Sequence, residues 1–272
     1  MKHLHFFGCS FTAGDELSDD VWFPWKHECN SPEEYYSRRS LYLGLPGKNL
    51  QYQTENKKKA YPARLQSDEY KIYNHSNNGE SLRTCIFRVL QIIFSSGVSV
   101  FIDNLNNLKF EIKNHNIPID AIFVQIPPPG REFYVTKNGR PTSIQLATME
   151  NTVEPIKTYL KSKLNSHSTE QPSIEELMDM IMLSNLAKQK NIPLYFIEFN
   201  KDTSLRMKDI IHQDFDFLKT DFCKEVNLIT FTEIVYKAWH EDRILLGRHL
   251  DVKAHQEMAD QLKNLLPNIL KQ

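Results

Sequence analysis

A serine stands between two glycines directly after the first apolar run of the chain. Residues 8–14 read Gly-Cys-Ser-Phe-Thr-Ala-Gly and follow the run 4–7, which predicts a buried first strand. A tight strand-to-helix turn here would expose the hydroxyl of Ser10 and place its N–H at a helix start, where developing negative charge is stabilised. Such a serine can act as a nucleophile, with Cys9 as a rival. The alternative is an ordinary glycine-serine turn without chemistry.

A histidine stands just before the last predicted helix, and a second one follows six positions later. These are His249 and His255. A histidine in such a loop can take a proton from a serine hydroxyl as general base and return it as general acid. Taken by itself, the position of His249 favours a surface loop histidine, and a role as the base for Ser10 depends on the resemblance described next. His255 falls inside the helix, where we expect it to have a structural role in holding the loop.

Together these segments resemble the SGNH (GDSL-like) hydrolase superfamily. Residues 8–10 correspond to its first block, where Gly-Asp-Ser is usual, and residues 247–259 correspond to its last block. The resemblance implies one domain over 1–272 with a three-layer α/β/α, flavodoxin-like fold around a mostly parallel sheet. It also implies ester hydrolysis through an acyl-enzyme, with Ser10 as nucleophile and His249 as base, and without a metal or an organic cofactor.

The segment after the second predicted strand resembles the family's second block. Residues 74–79 read Asn-His-Ser-Asn-Asn-Gly. In the family the glycine N–H helps to form the oxyanion hole, so the resemblance implies that role for Gly79 beside the N–H of Ser10. Glycine lets the backbone approach a ligand closely. The alternative is a polar turn in which Ser81 or Asn78 caps the following helix.

The third block departs from the family pattern. Its asparagine donates a hydrogen bond to the oxyanion, but here the third strand ends in Gln125 and Ile126, and prolines without an N–H follow at 127–129. We expect Gln125 or Arg131 to supply the missing donor, and an arginine would suit an anionic intermediate or substrate. For Arg131, a salt bridge with Glu132 or another acid is an equal alternative.

The acid that orients the catalytic histidine is also displaced. The family carries this acid two or three positions before the histidine, where the present chain has Leu246 and Gly247. We predict that Asp242 takes the role. Glu241, Asp251 or a backbone carbonyl are the alternatives, and the last of these would leave a serine–histidine dyad.

Strands and helices alternate along the chain. Apolar runs predict strands at 4–8, 71–73, 121–126, 193–199 and 227–231, and helical spacing predicts helices at 81–94, 173–190 and 254–266. This order favours a parallel sheet covered by helices on both faces. In such sheets ligands collect at the carboxyl ends of the strands, where the candidate segments fall.

Two long segments show little periodicity. They span 15–61 and 127–172 and are predicted to be irregular insertions. The first is rich in aromatic residues: Trp22, Phe23, Trp25, Tyr35 and Tyr36. These side chains could form a lid that stacks on a sugar or covers an acyl chain, or equally a small satellite core beside the sheet.

Composition and charge exclude several classes of function. The 272 residues carry a formal net charge of −1, which gives no field for nucleic acid or an anionic membrane. We find no stretch approaching the ~18–20 apolar residues of a membrane span, and no signal-peptide pattern. The four cysteines are scattered along the chain and do not predict a disulfide framework. His3 and His5 have no acidic partner nearby and do not predict a metal site. A reducing cytoplasm is the expected location.

The sequence is compatible with three functions. The first is hydrolysis of a small-molecule or carbohydrate ester, and the second is acyl transfer from the same acyl-enzyme. The third is a protein of the same fold that binds a ligand without hydrolysing it, which the altered third block and the displaced acid favour. Nucleotide binding ranks below these, because residues 8–14 lack the lysine of a phosphate-binding loop and no Gly-x-Gly-x-x-Gly occurs.

Overall fold

The chain builds a central sheet whose strands alternate in sequence with helices. The structure is a computed structural model that describes residues 1–77, 81–94, 98–102, 109–113, 117–127, 131–135, 141–145, 174–199, 224–245 and 249–271. In chain order, its strands are β1 (Lys2–Phe7), β2 (Tyr70–Asn74), β3 (Val98–Ile102), β4 (Lys109–Lys113), β5 (Ala121–Gln125), β6 (Arg131–Val135), β7 (Pro141–Gln145), β8 (Leu194–Glu198) and β9 (Leu228–Thr230).

The helices enclose this sheet and form most of the first long insertion. They are α1 (Ser10–Ala13), α2 (Asp19–Trp22), α3 (Pro32–Leu43), α4 (Lys48–Lys59), α5 (Leu82–Phe94), α6 (Ile174–Gln189), α7 (Thr232–His240) and α8 (Val252–Ile269), with short 3₁₀ helices at Pro24–Glu28 and Ala63–Leu65. Within the ranges given above, no helix is long and apolar enough to cross a membrane.

Five parallel strands form the central sheet, in the order β2-β1-β5-β8-β9. Counted along the chain, these strands lie second, first, third, fourth and fifth, which is the flavodoxin-like order. In register, Leu4 pairs with Ile72 on one side and Ala121 on the other. The chain reverses direction across the sheet between β1 and β5. A crevice at the carboxyl ends of these two strands is therefore the expected ligand site.

Helices cover both faces of the sheet because side chains alternate along each strand. Phe7, Ile122 and Val124 face α5 and α6, in a cluster that includes Val89 and Met180. Phe6, Ala121, Phe123 and Ile197 face the other way, where Ala254, Met258, Leu262 and Leu266 of α8 cover them. The expectation of a three-layer α/β/α fold with a parallel central sheet is confirmed.

The segment 15–61 is folded, contrary to the prediction of an irregular insertion. It contains α2, a 3₁₀ helix, α3 and α4. Sequence periodicity missed these helices because their residues are mostly polar, and the apolar ones are clustered aromatics. At the start of α3, the Ser31 hydroxyl accepts from the N–H of Glu34, and proline takes the first helical position.

The aromatic residues of this insertion form a satellite core. Phe23, Tyr35 and Tyr52 are fully buried in it. The partly buried residues around them are Trp22, Trp25, Cys29, Tyr36, Tyr42 and Leu43. Of the two interpretations that the sequence allowed, the satellite core is confirmed.

Two antiparallel hairpins lie outside the central sheet. One pairs β3 with β4 and the other pairs β6 with β7. The second hairpin falls within 127–172, so this insertion is not irregular throughout. Most of its remaining residues lie outside the described part of the chain.

Candidate active site

The turn that follows β1 holds the candidate nucleophile. Cys9 precedes the short helix α1, whose first residue is Ser10, and Gly14 ends it in the left-handed conformation at φ 72°. The chain has to pass very close to its neighbours here. A Cβ atom on Gly8 would lie 2.6 Å from Thr12 Oγ1 and 2.7 Å from Gln125 Oε1, so only glycine fits.

The side chain of Gln125 forms hydrogen bonds with residues of this turn. Its amide oxygen accepts from the N–H of Cys9 at 3.1 Å and from Thr12 Oγ1 at 2.8 Å, and its amide nitrogen lies 3.2 Å from Cys9 Sγ. The side chain is fully buried. The sequence predicts that Gln125 or Arg131 donates to an oxyanion. In the structure, the amide oxygen and the amide nitrogen of Gln125 both contact residues of the turn, because β5 ends next to residues 8–12.

Cys9 is fully buried against Gln125, whereas Ser10 retains 5% of its exposure. The Ser10 hydroxyl lies 4.0 Å from the Cys9 sulfur. A thiol enclosed in this way lacks the exposed, electropositive surroundings that make cysteines reactive. The burial therefore favours serine over its neighbour as the nucleophile.

The loop after β2 lies against the same turn. The Asn74 side chain donates to the carbonyl of Thr12 at 3.0 Å, and the N–H of Asn77 donates to the carbonyl of Gly8 at 3.2 Å. The segment that resembles the second block thus contacts the segment that resembles the first. Gly79, its expected oxyanion donor, lies outside the described residues.

His249 also reaches the turn from the far end of the sequence. Its ring centroid lies 5.2 Å from that of Phe11, which in turn packs edge-on against Phe199 at the end of β8. Its Nδ1 lies 3.3 Å from Glu16 Oε2. The imidazole therefore contacts Phe11 within α1, the helix that Ser10 begins, and Glu16 just after it.

The acid that contacts His249 is Glu16, whereas the acids predicted from the sequence are exposed or have other partners. Asp242 is exposed just after α7, with its backbone at φ 54°. Asp251 is the N-cap of α8 and accepts from the N–H of Ala254 at 2.8 Å. Glu241 pairs with Arg243 at 2.7 Å. The expected acid was sought near His249 in sequence, but the fold supplies one from the loop after α1.

Glu16 belongs to a buried group of acids and tyrosines. The Glu16 carboxylate is 1% exposed, and its Oε1 accepts from the Tyr36 hydroxyl at 3.0 Å. The N–H of Glu16 donates to the Tyr52 hydroxyl at 3.0 Å. Its backbone is left-handed, with φ 68°, a conformation that side-chain-bearing residues rarely adopt and that often marks functional sites.

One arginine and two further carboxylates complete this group. Arg39 pairs with Asp15 at 2.7 Å and donates to the Tyr52 hydroxyl at 2.7 Å. Although burial opposes its charge, the neighbouring Asp15 raises the pKa of Arg39 above its usual value. Asp19 accepts from the hydroxyls of Tyr35 and Tyr52, and burial raises the pKa of Asp19 to about 6. Of this group, Glu16 is the member that lies beside the imidazole.

His255 lies inside α8 and is buried, as expected. Its Nδ1 accepts from the N–H of Tyr61 at 3.1 Å, and the Tyr61 hydroxyl lies 3.3 Å from Thr12 Oγ1. Burial, with Arg64 and His249 nearby, lowers the pKa of His255 to about 3. A neutral, hydrogen-bonded histidine of this kind links α8 to the turn around Ser10.

Arg131 begins β6, but its side chain lies outside the described part of the structure, so its expected donor role stays a prediction.

His3 and His5 contact neighbouring side chains in the sheet. His3 Nδ1 lies 3.1 Å from the Tyr73 hydroxyl, and His5 Nδ1 lies 3.0 Å from His75 Nε2. Among the residues whose positions are described, no group of three histidines, cysteines or acids could hold a metal ion.

Comparison with known proteins finds similarity to solved structures alone. No protein-family model matches it, and no curated protein matches it. It is similar to the psychrotrophic esterase EstA from Pseudoalteromonas sp., with 10% identity, 100% of both chains covered and a TM-score of 0.43. It is also similar to an acetylxylan esterase from Geobacillus stearothermophilus, with 10% identity, 95% of this chain and 91% of that chain covered and a TM-score of 0.41. At such low identity, a proposal for function has to rest on the residues of the site.

Proposed function

We propose that this protein is a serine-dependent ester hydrolase in which Ser10 is the nucleophile and His249 the general base. One observation carries the proposal: His249 lies against Phe11 and Glu16, at the turn that Ser10 begins, although it comes from the opposite end of the chain. This turn lies at the carboxyl edge of the sheet beside β1 and β5, where parallel α/β sheets bind ligands.

The reaction follows from these two side chains. The Ser10 oxygen bonds to the carbonyl carbon of the ester, the carbonyl electron pair moves onto its oxygen, and the hydroxyl proton passes to His249. When the tetrahedral intermediate collapses, the bond to the leaving alcohol breaks and the alcohol takes that proton. Water then attacks the acyl-enzyme with His249 again as base, which releases the acid and restores Ser10.

Gln125 has a positioning role in this proposal, because its amide is committed to Cys9 and Thr12. The N–H groups of Ser10 and Gly79, with Arg131, remain the predicted oxyanion donors. The expected substrate is an ester of a small molecule or a carbohydrate.

A pre-steady-state assay with p-nitrophenyl acetate tests the proposal. We expect a burst of p-nitrophenol equal to the enzyme concentration, followed by slower turnover limited by hydrolysis of the acyl-enzyme. Ser10→Ala should abolish the burst, and His249→Gln should reduce its rate by on the order of 10³-fold or more. The exposed Ser37→Ala serves as the matched control and should behave like the wild type.

Two results would contradict the assignment. A burst that persists in Ser10→Ala but disappears in Cys9→Ala would transfer the chemistry to the thiol. A wild-type protein that binds esters but shows neither burst nor turnover would be the ligand-binding alternative. Product analysis with an added sugar acceptor separates acyl transfer from hydrolysis, because only transfer yields a new ester.

A further inference from the structure

Glu16 lies where an acid could orient His249, although the two residues are at opposite ends of the sequence. The Nδ1 of His249 is 3.3 Å from Glu16 Oε2, and the two side chains are 15% and 1% exposed. This is an ion-pair separation rather than a well-aligned hydrogen bond. Among the described residues, the buried Nδ1 has no hydrogen-bond partner.

From this geometry we infer that Glu16 is the positioning residue for His249, and that Tyr36 and the helical insertion 15–61 hold its carboxylate in place. This inference rests on the proposed function. It replaces the predicted Asp242 with an acid that follows the nucleophile by six residues. It also gives the insertion a role in catalysis, which is to position Glu16. A lid or a passive satellite core would not have this role.

The two carboxylate oxygens of Glu16 have different partners. Oε1 accepts from the Tyr36 hydroxyl on α3, and Oε2 faces the imidazole. The backbone of Glu16 is fixed as well, because its N–H donates to the Tyr52 hydroxyl on α4. The left-handed backbone at φ 68° costs free energy, and the surrounding insertion keeps Glu16 in that conformation.

The charged groups near Glu16 have partners of their own. Arg39 pairs with Asp15, while Asp19 takes hydrogen bonds from Tyr35 and Tyr52. His255 stays neutral, because burial, with Arg64 and His249 nearby, lowers its pKa to about 3. A carboxylate next to Nδ1 keeps the proton on that nitrogen, so the lone pair of Nε2 is free to accept the serine proton. It also stabilises the imidazolium that forms as Ser10 attacks.

Kinetics of three variants test this inference. Glu16→Gln should lower kcat by on the order of 10²–10⁴-fold, while Glu16→Asp should recover part of that loss. Tyr36→Phe should lower kcat by about tenfold with KM nearly unchanged. Asp20→Asn is the matched control, since Asp20 is an exposed acid in the same segment.

A second measurement does not depend on whether the Glu16 and Tyr36 variants fold. In wild-type protein labelled with ¹⁵N-histidine, nitrogen chemical shifts should show His249 with its proton on Nδ1 at neutral pH, with the His249→Gln spectrum giving the assignment. A proton on Nε2 instead, or an unchanged kcat in Glu16→Gln, would overturn the inference. The wild-type burst separates the two proposals. With the burst present, these results refute the role of Glu16 alone; without it, the proposed function fails.

Discussion

At the scale of the residue, the turn around Ser10 depends on one buried amide. Gln125 accepts from the N–H of Cys9 and from the hydroxyl of Thr12, and both contacts are buried. Replacing it removes a partner from a buried backbone N–H, and an unsatisfied buried donor costs about 1–3 kcal/mol. We therefore expect Gln125 to affect both the stability of the fold and the position of Ser10, the proposed nucleophile.

We expect Gln125→Leu to lower the free energy of unfolding by about 1–3 kcal/mol and to reduce ester hydrolysis, because the turn that carries Ser10 loses its support. Urea unfolding and steady-state kinetics on the same preparation measure both effects. Gln189→Leu, at an exposed position near the end of α6, is the control and should change neither. Full stability with full activity in Gln125→Leu would show that the turn does not depend on the Gln125 side chain.

The site residues differ in how visible they are in the sequence. Ser10 and His249 could be predicted because residues 8–10 and 247–259 resemble the first and last blocks of a known hydrolase family. Glu16 could not, because its role depends on a left-handed backbone and on two tyrosines more than 15 residues away. The acidic residues directly after the turn were the only available signal. Asp242 was preferred because the family pattern places the acid close to the histidine in sequence.

At the scale of the element, the insertion 15–61 is a small folded unit with its own core. Phe23 is fully buried there, and its ring lies 5.5 Å from that of Tyr52. Removing a buried phenylalanine side chain costs about 3–5 kcal/mol. Because Tyr52 and Tyr36 also hold Glu16, loosening this core should affect the catalytic site before it affects the sheet.

We therefore expect Phe23→Ala to raise the amide hydrogen exchange of residues 15–61 and to lower esterase activity, while exchange in β1 and β5 stays slow. Phe94→Ala, at an exposed position at the end of α5, is the control. Faster exchange spread evenly over the sheet would show that the insertion does not open by itself. Full esterase activity despite faster exchange in residues 15–61 would show that catalysis does not need the insertion.

The strands were easier to predict than the helices of this insertion. Buried parallel strands are continuous apolar runs, so β1, β5 and β8 could be located almost to the residue. α3 and α4 are polar around most of their surface and pack through a few large aromatic rings. Apolar periodicity is therefore weak in them, although the Ser31 cap with proline after it and glutamate three positions on was a usable start signal.

At the scale of the whole molecule, buried histidines make stability depend on pH. Burial lowers the pKa of His5 to about 4, that of His255 to about 3, and that of His75 well below its usual value. In the unfolded chain these groups titrate near 6.5. Below that pH the unfolded state binds more protons than the folded state, so stability falls as the pH is lowered. Asp19 acts in the opposite direction between about 6 and 3.8, because burial raises its pKa.

The histidines outnumber this acid, so we expect a net loss of stability between pH 6.5 and pH 4, with His255 alone contributing on the order of 3 kcal/mol. Urea unfolding at a series of pH values measures the loss. His255→Gln, which keeps an acceptor for the N–H of Tyr61, should flatten the dependence, and the exposed His240→Gln should not. Equal slopes in all three proteins would show that these histidines do not govern acid unfolding.

The fold brings the two ends of the sequence to one edge of the central sheet, and the proposed chemistry depends on this meeting. Mass spectrometry of the intact protein after reaction with a fluorophosphonate tests it most directly, because such a reagent labels only an activated serine. We predict one adduct per chain, mapped to the peptide that contains Ser10 and lost in both Ser10→Ala and His249→Gln. An unlabelled wild-type protein, or an adduct that survives in Ser10→Ala, would contradict the assignment.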